Sequence, residues 1–126
     1  MKIERKEFGD VTILYFTGEL DAFNLAKISE KLDALIQTGR TRLVFNLKGL
    51  KFINSSSLGY LIETHKRLKE LDGELVLSEL SKFLQSTVAT LGLDQIFKIY
   101  ATDEDALAHF RDAGAAAAPA RIEGVP

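Results

Sequence analysis

The run Asn54-Ser55-Ser56-Ser57-Leu58-Gly59 holds the side chains of this chain best placed to do chemistry. It follows an apolar stretch and opens a segment with helical spacing. Its hydroxyls therefore sit where a helix has unpaired N–H groups and the positive end of its dipole. Side chains in that position can cap the helix, hold a phosphate that comes from elsewhere, or carry a phosphate covalently. Capping accounts for one or two of the four polar residues Asn54, Ser55, Ser56 and Ser57, and the surplus points to function as much as to structure. Asp21, after Gly18 at the end of a strand pattern and just before a helix pattern, reads first as an N-cap or turn residue. If its loop shares a sheet edge with the serines it flanks them, and its carboxylate would repel an added phosphate. Tyr60 falls on the outward face of the same helix, one turn beyond Ser56, and is a candidate contact for a partner.

Little else in the chain suggests a reaction. There is no cysteine, which excludes disulfides, thiolate metal sites and thiol nucleophiles. His65 projects from the apolar face of the serine helix, roughly 15 Å along it from Ser55, too far to act as its base. It reads as a partly buried, hydrogen-bonded structural histidine, and His109, near the C-terminus, as a surface residue. A Gly-x-Ser-x-Gly elbow, a Walker loop and paired metal ligands are all missing. No catalysis, cofactor or metal is expected. The net charge of −2, with Lys and Arg dispersed, argues against nucleic acid or an anionic membrane as partner. The N-terminal Met1–Glu7 is charged and no run reaches ~20 apolar residues, so neither a signal peptide nor a membrane span is expected. The expected location is cytoplasmic.

The elements that position the serines can be read from periodicity. At 126 residues and 46% hydrophobic, the chain suits one domain with a buried core. Lys2–Phe8 reads as a weak edge strand and Val11–Thr17 as a stronger one, joined through Gly9-Asp10 into an antiparallel hairpin that Gly18-Glu19-Leu20-Asp21 ends. Apolar Leu25, Ile28, Leu32, Leu35 and Ile36 predict a helix over 23–38, with Gly39 just past its end. Arg42–Leu47 is a nearly continuous apolar run, as in a buried parallel strand, and Leu50–Ile53 leads into the serines. The second helix is predicted over 55–71, with Leu58, Leu61, Ile62, His65 and Leu68 inward. Glu74–Ser78 is a strand, 81–91 a third helix with Leu84, Val88 and Leu91 inward, and Ile96–Ala101 the last strand. Thr102-Asp103-Glu104-Asp105 resembles a capping box and starts a helix to about Ala113. The alanine-rich remainder is expected to be disordered or loosely attached. The order β-β-α-β-α-β-α-β-α gives an α/β single domain over 1–113, a mixed sheet with helices packed on it, and a tail over 114–126.

Four segments in this order carry a resemblance: Gly18-Glu19-Leu20-Asp21, Leu43-Val44-Phe45-Asn46-Leu47, Phe52-Ile53 with the serine run through Gly59, and Leu91-Gly92-Leu93-Asp94-Gln95-Ile96-Phe97. Together they resemble the bacterial anti-sigma factor antagonists of the STAS domain family, over roughly residues 1 to 112. The resemblance implies partner switching. An unphosphorylated antagonist binds an anti-sigma factor that is also a serine kinase, is released when that kinase phosphorylates it, and is reset by a serine phosphatase. The family motif Asp-Ser-Ser/Thr-Gly-Leu-Gly implies Ser55 as the phosphoacceptor, with Asp21, Asn54, Ser56, Ser57, Leu58, Gly59 and Tyr60 shaping the partner surface. Two positions depart from the motif. Asn54 replaces the family's Asp and removes a charge, and Ser57 replaces its Gly and adds a Cβ. Both favour the alternative that the resemblance also allows, a STAS module that scaffolds a regulatory assembly or senses a ligand without being phosphorylated.

Overall fold

The computed structural model describes residues 1–117. In chain order its elements are β1 (Lys2–Phe8), β2 (Val11–Leu20), α1 (Ala22–Gln37), β3 (Arg42–Ile53), α2 (Ser55–Glu70), β4 (Glu74–Ser78), α3 (Lys82–Thr90), a 3-10 turn (Leu93–Gln95), β5 (Lys98–Tyr100) and α4 (Asp103–Ala117). The strands form one mixed sheet in the order β1-β2-β3-β4-β5. β1 is antiparallel to β2, from Lys2↔Thr17 to Phe8↔Val11, and every later pair is parallel. This is the expected α/β architecture. The exposed edge strand β1 carries charge at four of its positions from Glu4 to Glu7, which discourages pairing with another chain.

Leucine and phenylalanine line one face of the sheet, and β-branched residues much of the other. Leu14, Phe16, Leu43, Phe45, Leu75 and Leu77 lie beneath α1, α2 and α3, which contribute Ile28, Leu32, Leu61, Leu68, Leu84 and Val88. Val11, Ile13, Val44 and Val76 are covered by Ala106 and Phe110 of α4. The parallel strands are thus buried on both sides, which is why they read as continuous apolar runs. Gly73 is required by a close approach: a Cβ there would stand 2.0 Å from the carbonyl oxygen of Thr41, where β4 starts alongside β3.

Several bounds and orientations differ from the sequence reading. β2 runs on through Gly18 to Leu20, and β3 continues past Leu47 to Ile53. Gly18 does not end the strand because it adopts φ +121, open to glycine, beside a register shift in which β3 carries an extra residue. Leu91 is 55% exposed rather than inward. α3 stops at Thr90, and Gly92 at φ +72 turns the chain so that Leu93 takes the buried place. The last strand is only Lys98–Tyr100, since the 3-10 turn occupies the residues before Ile96. α4 is capped as expected by the Thr102 hydroxyl, which accepts from Asp105 N at 3.1 Å. It runs to Ala117, four residues beyond the expected end of the domain, and the rest of the presumed tail, 118–126, lies outside the described residues.

His109 is no surface residue. Its ring lies between Glu74 at the start of β4 and the Tyr100 hydroxyl at the end of β5, at 2.8 Å and 2.7 Å, with only 16% of its side chain exposed. A carboxylate only accepts, so Nε2 carries the proton toward Glu74, while Nδ1 shares a hydrogen bond with the Tyr100 hydroxyl. His65 matches its expected structural role: it is buried, receives the Leu75 N–H at 3.4 Å and packs at a tilt against the Phe97 ring. Burial pushes its pKa below the ordinary histidine value.

Candidate functional site

The start of α2 is held by an N-cap and by a bond across the sheet. Asn54 is extended (φ −101, ψ 174) and its side-chain oxygen accepts the Ser57 N–H at 2.8 Å, while its carbonyl accepts the first helical bond from Leu58. The capping role therefore falls to Asn54. The three hydroxyls then part company. Ser55 and Ser56 are exposed, whereas Ser57 is completely buried. The Ser57 Oγ lies 2.7 Å from the Leu20 carbonyl oxygen and 2.7 Å from Asn54 Oδ1. Its single proton serves both acceptors, so the start of α2 is pinned to the end of β2.

That bond settles where Asp21 stands. Leu20 pairs in register with Ile53, which places the loop after β2 beside the serine run at the C-terminal edge of the parallel strands. Asp21 is the N-cap of α1 and accepts from Asn24 N at 3.1 Å. The Asn24 side chain also donates to the Glu19 carbonyl at 2.8 Å, so the opening turn of α1 is fixed at two points.

Three of the expected contact residues need correction. Ser57 and Leu58 are buried and belong to the scaffold, not to a surface that a partner can touch. Tyr60 is not on the outward face. It is half-buried against the main core, in the depression where α1 and α2 meet, alongside Leu32, Ile36 and Thr64. Packing of α2 against α1 as well as the sheet widens its buried arc by about one residue position beyond the apolar stripe. Gly59 is exposed, with open space around it. The exposed part of the site is thus Ser55, Ser56 and Gly59, with Asn54 and Asp21 half-buried at its margin.

The surroundings of the site carry no charge over long stretches. Residues 22–26 and 52–62, around the openings of α1 and α2, and 83–93, which make up α3 after Lys82 and the turn that follows, contain no Asp, Glu, Lys or Arg, in a chain that is 27% charged; Asp21, Lys51 and Lys82 border these runs. Among the described residues no group of three or more His, Asp or Glu could hold a metal ion, and no helix is long and apolar enough to cross a membrane.

A second polar cluster escaped the sequence reading. Asp103, the first residue of α4, accepts from the Tyr15 hydroxyl at 3.0 Å, the Asn46 amide at 2.8 Å and the Ser78 hydroxyl at 2.7 Å. Its own N–H donates to Glu79 Oε2 at 3.3 Å. Both carboxylate oxygens of Asp103 are engaged, and the cluster ties the middle of β2 and β3 and the end of β4 to α4. Its sequence signal was the polar residue at matching register in each strand: Tyr15 pairs with Asn46, and Asn46 with Ser78.

Burial first, then the hydrogen bond to Asp103, pushes the Tyr15 pKa up to about 12. A phenol with a folded pKa above its unfolded value of about 10 favours folding fully below pH 10, and that contribution disappears as pH rises to about 12. Urea unfolding midpoints are therefore expected to fall more steeply from pH 9.5 to 11.5 in the wild type than in Tyr15→Phe, which has no proton to lose there. Parallel pH profiles for the two proteins would contradict the shift.

A family model described as the STAS domain matches residues 2–106 of this chain. The anti-sigma-B factor antagonist of Bacillus subtilis (strain 168) is 33% identical over 87 residues, covering 69% of this chain and 79% of that protein. The anti-sigma F factor antagonist of Paenibacillus polymyxa is 28% identical over 108 residues, covering 85% and 92%. The crystal structure of an anti-sigma factor antagonist from Mycobacterium paratuberculosis superposes with a TM-score of 0.77 at 23% identity, over 87% of this chain and 93% of the other.

Proposed function

The chain belongs to the STAS domain family, and from that membership we propose that it is an anti-sigma factor antagonist controlled by phosphorylation of Ser55. It acts by binding and has no chemistry of its own. Unphosphorylated, it docks on an anti-sigma factor that doubles as a serine kinase. That enzyme moves the γ-phosphoryl group of ATP onto the Ser55 Oγ, the hydroxyl proton goes to a base of the kinase, and ADP leaves. A serine phosphatase hydrolyses the ester and restores the starting form. Such partners place the protein in the cytoplasm.

The observation that supports this reading is the separation of the serines: Ser55 stands free at the helix start while Ser57 is built into the scaffold. Incubation with the cognate kinase and ATP is expected to add one phosphate to the wild type, about 80 Da in whole-protein mass spectra as phosphoserine. None is expected on Ser55→Ala. Phosphate retained by that variant, or never acquired by the wild type, removes Ser55 from the role and leaves a STAS module that scaffolds or senses.

A further inference from the structure

The most exposed large apolar side chain of the described residues is Phe23, in the first turn of α1, with 93% of its surface open to water. It contributes nothing to the core. A single exposed apolar side chain is ordinary on a protein surface, so what singles this ring out is its place in the turn next to the strand end that Ser57 holds. The turn that holds it is rigid, because Asp21 caps it and the Asn24 side chain is bound to the Glu19 carbonyl. Phe23 follows Leu20 by three residues, and the Leu20 carbonyl is the atom that Ser57 holds. It therefore lies within about 10 Å of backbone of the contact that fixes the start of α2. A second ring, the half-exposed Phe52, is in register with Glu19 and three residues before Ser55.

On these observations we propose that Phe23 is the apolar anchor of the surface that the anti-sigma factor grips around Ser55, an inference that rests on the function proposed above. A standard protein–protein footprint of about 800 Å² per partner, roughly 30 Å across, centred on Ser55 takes in both rings. Anchors of this kind are aromatic, pre-positioned and set in a surface depleted of charge, and the helix openings here meet each condition. The complementary feature on the partner is an uncharged apolar pocket. This chemistry also explains why a phosphate at Ser55 would be an effective signal: it puts a dianion into a surface poor in charge and close to the Asp21 carboxylate.

The test uses the full chain and the purified anti-sigma factors of its own genome. Phe23→Ala is expected to raise the Kd of the one that the wild type binds by about 30-fold or more, mainly through faster dissociation. The thermal midpoint should stay within about 2 °C of the wild type, as for an exposed side chain, and Lys66→Ala, on the exposed part of α2 away from the rim, should leave Kd unchanged. Wild-type affinity in Phe23→Ala overturns the anchor while the antagonist function stands. A wild type that binds none of these proteins overturns that function and the anchor with it. A homodimer that Phe23→Ala dissolves, with anti-sigma factor binding intact, assigns the ring to a second copy and overturns the proposal.

Discussion

Phosphate on Ser55 is expected to weaken binding of the anti-sigma factor by more than a hundredfold while leaving the fold of the antagonist intact. The group brings about −1.5 to −2 charges at neutral pH. In the free protein these face the N-terminus of α2, where unpaired N–H groups and the helix dipole favour an anion, and Ser55 itself is exposed. Within an interface the same charge loses its water. If it is left unpaired there, a cost of about 3 kcal/mol is modest for a buried charge and already corresponds to more than two decades in Kd. Titration calorimetry on the phosphorylated and unphosphorylated forms, beside urea unfolding of each, separates the two effects. A phosphorylated form that binds as tightly, or one that has lost several kcal/mol of stability, would sink this account of the switch.

The second large effect concerns the fold. Asp103→Ala is expected to cost about 3–5 kcal/mol. The substitution leaves the Asn46 amide and the Ser78 hydroxyl, both essentially buried, without their acceptor. Each stranded group costs about 1–3 kcal/mol, and loss of a carboxylate from the first turn of α4 adds up to about 1 kcal/mol. Against a total stability of about 5–15 kcal/mol for a domain of this kind, the loss is severe. Asp103→Asn, which keeps one acceptor oxygen, should lose about half as much. The measurement is the urea midpoint at constant m-value. A fall under about 1 kcal/mol for the alanine variant would show that α4 is held to the strands by something other than this carboxylate.

Local rules were enough to read most of the fold. Ser81 caps α3 through Leu84 N, Gly39 and Gly92 take up left-handed backbone just past α1 and α3, and unbroken apolar runs mark the parallel strands. What local rules missed depends on distant partners. Lys48, Gly49 and Lys51 interrupt the apolar run after Leu47, although Leu50 among them is buried in the core. Nothing near Ser57 in sequence announces that its hydroxyl will meet the Leu20 carbonyl. The serine run was therefore read as three equivalent hydroxyls when only two face water. His109 likewise needed Glu74 and Tyr100, brought to it by the β4–β5 pairing. Tyr60 was misplaced because a helix wheel does not know about α1.

The coverage of the valine-lined face by α4 alone bears on biosynthesis. Phe110 and His109 are among the last residues of the domain to be translated, and they lie beyond residue 106, where the family match stops. While the ribosome has yet to release that segment, Val11, Ile13, Val44 and Val76 have no lid, and the nascent sheet is wet on one side. A gene fragment trimmed to the homology boundary would encode a sheet whose valine face stays uncovered by Phe110.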